Sequence, residues 1–135
     1  MPMQIGQQLP KVEKLVTQNQ IEKYAHASGD FNPVHLNQDF AASTPFGKTI
    51  AHGMLILAFL SEMMTQAFKE DWLNSGRLKV RFKAPVYPDD RVTTYGTIKE
   101  IQRAGDVSYA ACVVGCKNQK GEDVIVGEAW APITN

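Results

Sequence analysis

The chain has 135 residues and no net charge, 14 Lys and Arg balancing 14 Asp and Glu. That is the length of one ordinary domain, expected to span residues 1–135, and 44% hydrophobic with 21% charged residues is a composition that folds. It excludes a global basic field for nucleic acid. The longest apolar stretch, Met54 to Leu60, is far shorter than the roughly 20 residues of a membrane span.

The amino terminus, Met-Pro-Met-Gln-Ile-Gly, has neither the basic region nor the apolar core of a secretory signal, so a cytoplasmic protein is expected. Thr17 with Gln20 forms a capping-box pattern, and Ile21, Tyr24 and Ala25 recur at helical spacing before Gly29, which predicts a helix over 18–28. Gly29 to His35 reads as a loop, because the residue before Pro33 is pushed out of the α region. Asn37 can cap a single turn through Phe40 and Ala41, and Ser43 to Lys48 is turn-rich around Pro45 and Gly47.

From His52 to about Phe68 runs the longest helical candidate, apolar on all sides over Met54 to Leu60 and so expected to be buried. The period then changes. Leu78, Val80 and Phe82 alternate with Arg77, Lys79, Arg81 and Lys83, a strand with one buried and one charged face, ended by Pro85 and Pro88. Three further strands are predicted at 91–101, 107–116 and 124–132, joined by turns at 104–106 and 119–122. The sum is an α+β arrangement, an antiparallel meander around one long helix. Cys112 and Cys116 lie four apart on a predicted strand, about 13 Å between Cα atoms, whereas a disulfide needs about 7 Å or less. Both are expected to be free, structural thiols. With three histidines and no C-x-x-C or H-x-x-H spacing, no metal site is expected.

Two segments carry chemistry. Asp30 and His35 sit on one proline-stiffened loop flanked by Phe31, Val34 and Leu36, where a carboxylate and an imidazole can share a water or a substrate proton; turn capping by Asp30 and a structural hydrogen bond from His35 are the alternatives. Ala51-His52-Gly53-Met54 opens the long helix. There unpaired N–H groups and a partial positive charge, beside a glycine that admits close approach, make an oxyanion-hole geometry; tight packing alone would also call for Gly53. His52 reads as a hydrogen-bonded residue positioning this turn, with a second base as the alternative.

Tyr24-Ala-His-Ala-Ser-Gly-Asp-Phe-Asn-Pro-Val-His35, then Ala41, then Ile50-Ala-His-Gly-Met54, resembles the signature of the MaoC-like, (R)-specific enoyl-CoA hydratases. Val80-Arg-Phe-Lys-Ala-Pro-Val-Tyr-Pro-Asp-Asp90 extends the resemblance over nearly the whole chain, with two departures: Asp89 where a glycine is usual, and Ala27 where a larger aliphatic residue is commoner. The resemblance implies a hot-dog fold, a long helix wrapped by an antiparallel sheet, forming a homodimer or a dimer of dimers. It implies hydration of trans-2-enoyl-CoA to (R)-3-hydroxyacyl-CoA, or the reverse dehydration, in fatty acid metabolism and without cofactor or metal. Asp30 and His35 match the catalytic pair and Gly53 the donor to the thioester oxygen. Ser61 matches a serine near the pair and Asn32 a residue ordering the loop; with His52 these are the expected substrate-side residues. Ser61 lies a little over two turns past Gly53, nearly on the same side of the helix; a hydroxyl bonded back to its own helix is the equal alternative. Arg77, Lys79, Arg81 and Lys83 are candidates for CoA phosphates, although a solvated face is the commoner meaning. Competing readings are a dehydratase acting on acyl carrier protein thioesters, and a non-catalytic acyl-thioester binding module on the same fold. A thioesterase has less support, because Glu62 is the one acid inside the helix before Glu70.

Overall fold

The computed structural model describes residues 3–133. Strand β1 (Glu13–Leu15) leads into α1 (Gln18–Ser28), then α2 (Pro33–Leu36), α3 (Gln38–Ala42), α4 (Gly53–Phe68) and α5 (Glu70–Ser75). Four strands follow: β2 (Arg77–Phe82), β3 (Arg91–Ala104), β4 (Val107–Lys117) and β5 (Asp123–Ile133). They form one antiparallel sheet in the order β1-β3-β4-β5-β2. β3, β4 and β5 are the expected meander, whereas β2 crosses over to pair with β5 and stands at an edge.

Local chemistry fixes the helix ends. The Thr17 hydroxyl accepts from the Gln20 N–H at 3.1 Å and the Gln20 side chain accepts from the Thr17 N–H at 3.3 Å, closing the capping box of α1. Gly29 ends α1 at φ 79°, a left-handed value that suits glycine. The segment 29–35 is not loop throughout: Asn32 caps and Pro33 opens a helical turn, since proline's missing N–H costs nothing at a first helical position. Two elements go beyond the sequence reading. β1 has only three residues, too few to show a period, and α5 follows an abrupt break at Lys69, φ 55°, that no glycine or proline announces.

The core lies between α4 and the inner face of the sheet. Ile56, Phe59, Leu60, Met63 and Met64 pack with Val92, Ile98, Cys112, Val114, Ile125 and Ala129. Truncating one such large side chain to alanine typically costs about 2–5 kcal/mol. α4 is not buried all round, however. Met54 is 58% exposed and Ala58 is exposed too, because the sheet covers one side of the helix only. Nor is the inner face of β2 fully buried: Leu78 and Val80 are half-buried and Phe82 is 54% exposed, as befits an edge strand. Asp89, at the position where glycine is usual, adopts φ 75°, a left-handed conformation that aspartate tolerates better than most residues.

Cys112 and Cys116 are free and buried, and burial pushes both thiols up to about 12 by disfavouring the thiolate. Both should resist alkylation of the native protein at pH 8 and label fully once it is unfolded in denaturant, a difference read by mass spectrometry. Rapid native labelling of either would show that the sheet does not shield it.

Candidate active site

The loop bearing Asp30 is built from side chain to backbone bonds of its own. The Asp30 N–H donates to the Ser28 hydroxyl, the Asp30 carboxylate accepts from the Asn32 N–H at 3.1 Å, and the Asn32 side chain accepts from the Val34 N–H at 3.1 Å. Asn32 thus orders α2. The turn carries His35 inward, to 9% exposure, where its Nδ1 lies 2.8 Å from the Ile50 carbonyl. A carbonyl only accepts, so Nδ1 carries a hydrogen, and in the neutral ring the lone pair is then on Nε2. Gln18 reinforces the arrangement by donating to the His35 carbonyl at 2.9 Å while accepting from the Thr49 hydroxyl at 2.8 Å. Sequence reasoning missed Gln18 and Thr49, and no motif or period could have flagged them.

One ligand-type atom from each of Asp30, His35 and His52 lies within 4.8 Å of the others. The two imidazoles stack, ring centroids 3.9 Å apart and planes 27° from parallel. Rings stacked this way are poorly placed to aim two in-plane lone pairs at one ion about 2 Å from each, and each ring has already given one nitrogen to a carbonyl. The arrangement suits a shared water or substrate group better than a zinc ion. Asp30 itself is exposed, and so is its apolar neighbour Phe31, at 53%, so the flanking apolar residues do not shield the carboxylate from water.

Gly53 is the first residue of α4. His52 at the N-cap makes no side-chain cap bond, so no capping side chain takes up the first-turn N–H groups. Beside them lies a pocket of about 340 Å³ lined by His35, Gly53, Phe46, Ile56, Phe82 and Val124, among others. The Phe82 ring roofs the glycine so closely that a Cβ on Gly53 would sit 3.0 Å from Cε1. An apolar trough, a helix entrance with N–H groups to offer and an imidazole with a free lone pair are thereby brought together.

Other expected residues go elsewhere. Ser61 does not line this pocket; its hydroxyl oxygen accepts from the Trp72 indole at 3.1 Å. Glu62 pairs with Lys14 at 3.2 Å, a surface contact worth about 0–1 kcal/mol. Of the four cations on and after β2, Lys83 lines the pocket and Arg77 lies over the Trp130 ring, 5.2 Å from its centroid. Lys79 and Arg81 point from the exposed edge strand.

The MaoC like domain family matches residues 2–119. This chain belongs to that family. A 3-hydroxyacyl-thioester dehydratase Z of Mycobacterium tuberculosis is 34% identical over 102 residues, 73% of this chain and 68% of the relative. An (R)-specific enoyl-CoA hydratase of Aeromonas caviae is 29% identical over 127 residues, 94% of this chain and 92% of the relative. Among solved structures, the (R)-hydratase of A. caviae involved in PHA biosynthesis superposes with a TM-score of 0.81 at 28% identity, covering 96% of each chain. The MaoC-like fold is the hot-dog arrangement, and in this member it places α4 against a five-stranded antiparallel sheet. No helix among the described residues is long and apolar enough to cross a membrane.

Proposed function

We propose that this MaoC-like chain is a hydro-lyase of acyl thioesters, adding water to trans-2-enoyl-CoA to give (R)-3-hydroxyacyl-CoA and catalysing the reverse dehydration. The observation that carries this reading is the meeting, at one apolar pocket, of the uncapped entrance of α4 at Gly53 with His35, whose ring has the Asp30 carboxylate within 4.8 Å although Asp30 is not part of the pocket lining. The relatives named for hydratase and dehydratase activity support the reaction class.

In the forward direction a water held between Asp30 and His35 attacks C3 of the enoyl group. Its oxygen forms the new C–O bond and its proton passes to the pair. The electrons of the C2=C3 bond move toward the thioester oxygen, where the Gly53 N–H and the positive end of the α4 dipole stabilise the developing enolate; one such donor is typically worth about 100- to 1,000-fold in rate. Protonation of C2 by the same pair completes the addition. Only water is gained or lost, so acid-base groups and N–H donors supply all the chemistry required, and no metal or redox cofactor enters this proposal. The acyl chain lies along Phe46, Ile56, Phe82 and Val124.

Stereochemistry tests the reading. Given (R)- and (S)-3-hydroxybutyryl-CoA separately, the protein should dehydrate the (R) form and leave the (S) form untouched. Equal use of both, or of neither, would remove the (R)-specific assignment. An acyl carrier protein thioester presented in the same assay separates the dehydratase that prefers a protein carrier.

We also propose a homodimer joined along β2, in a cytoplasmic protein. β2 has a partner on one side only, and Phe82 on it is 54% exposed. Light scattering at micromolar concentration should give twice the chain mass or a multiple of it; a monomeric mass would contradict this.

A further inference from the structure

His52 is a buried imidazole that neither the proposed proton transfers nor the capping of α4 uses. It is 2% exposed, packed beside Tyr24 with ring centroids 4.9 Å apart, and stacked on His35 at 3.9 Å. Its Nε2 lies 3.0 Å from the Asp30 carbonyl. Because that carbonyl only accepts, Nε2 carries the hydrogen, and Nδ1 is left as a buried nitrogen with no hydrogen-bond partner. His52 and His35 are thus held in opposite tautomers, each fixed by a backbone carbonyl.

We propose that His52 is the positioning residue of the site, setting Asp30 and His35 at once. The inference rests on the reading of those two as the reacting pair. Among the hydrogen bonds of residues 30–32, the one from His52 reaches outside the loop; the others run to Ser28, Val34, His35 or within the loop. An exposed carboxylate on such a loop is only as well placed as its backbone, and the His52 Nε2–H pins that backbone to the entrance of α4. His35 has the complementary need. A single bond from Nδ1 to Ile50 leaves its ring free to pivot about the N–H···O line, and the flat face of His52 blocks the pivot. One side chain next to Gly53 therefore registers both reacting groups against the N–H that would receive the thioester oxygen.

Two substitutions in the full chain separate the two contacts. His52→Phe keeps a flat ring and removes the N–H, and it also replaces the orphaned Nδ1 with carbon, so the fold should survive. His52→Gln keeps an N–H at similar reach and removes the ring. Hydration of crotonyl-CoA should show kcat lowered about 10- to 100-fold in each, with KM little changed, the size of effect expected when reacting groups are misplaced by about 1 Å. The second readout needs no activity. With three histidines in the chain, ring 15N shifts are assignable, and wild type should show His35 as the Nδ1–H tautomer and His52 as the Nε2–H tautomer. His35 should keep its signature in His52→Phe and lose it to tautomer averaging in His52→Gln. Undiminished kcat in either variant, or an unaltered His35 signature in His52→Gln, overturns the proposal. If wild type hydrates no enoyl thioester, the reading of the reaction fails, and the 15N shifts alone still decide whether His52 holds His35.

Discussion

Asp30→Asn is expected to lower crotonyl-CoA hydration by about 1,000-fold, within the range that acid-base groups contribute, while leaving the melting temperature essentially unchanged. The structural side of this expectation comes from the loop. The Asp30 carboxylate accepts from the Asn32 N–H, a role an amide oxygen fills equally well, and the residue is exposed, so no buried charge is gained or lost. What disappears is the ability to hold a water as an acceptor on both oxygens and to carry its proton. His35→Ala should lose activity to a similar degree but should also destabilise, by about 1–3 kcal/mol, because the Ile50 carbonyl loses its donor and the His52 ring loses its stacked neighbour. The double variant should be scarcely slower than the slower single one, since groups acting on one water function as a unit. Turnover and thermal melting on the same preparations distinguish this from a merely structural loop. A structural role predicts that Asp30→Asn loses activity only in proportion to unfolded protein.

The second large effect belongs to Gly53. Gly53→Val places bulk where the thioester carbonyl must approach, and kcat should fall about 100- to 1,000-fold, the usual worth of one oxyanion donor. The fold should tolerate it. Gly53 has an ordinary backbone conformation, and the atom its Cβ meets first belongs to the Phe82 ring, which is 54% exposed and can swing outward. Phe82→Ala is the comparison, since it empties the same space without blocking the N–H: it should keep the fold and kcat and raise KM, because the acyl chain loses part of its wall. Near-normal hydration by Gly53→Val would take Gly53 out of the site.

The sequence made some of this legible and hid the rest for physical reasons. The long helix and the four main strands follow from a change of apolar period near residue 77, and α1 from a capping box whose two bonds form as expected. Periodicity reports which face is apolar but says nothing of what covers it. Met54, Ala58 and Phe82 were therefore expected to be buried, and they are exposed. The candidate site was legible where residues crowd a short stretch, as in Asp30 to His35 and His52-Gly53. It was hidden where the contact crosses the fold, as with Gln18 to Thr49, Trp72 to Ser61 and His52 to the Asp30 carbonyl, separated by 31, 11 and 22 positions. Ser61 shows the limit most plainly: helical geometry could place it near the face of Gly53, but could not show that a tryptophan on an unannounced helix donates to its hydroxyl oxygen.

The most direct test of the central claim is the fall in enoyl-thioester absorbance when crotonyl-CoA is added to wild type, to His35→Ala and to Gly53→Val at equal concentrations of folded protein. The account predicts a rapid fall with wild type and loss of at least about 100-fold in rate with each variant. A wild-type rate no greater than that of the two variants would contradict it.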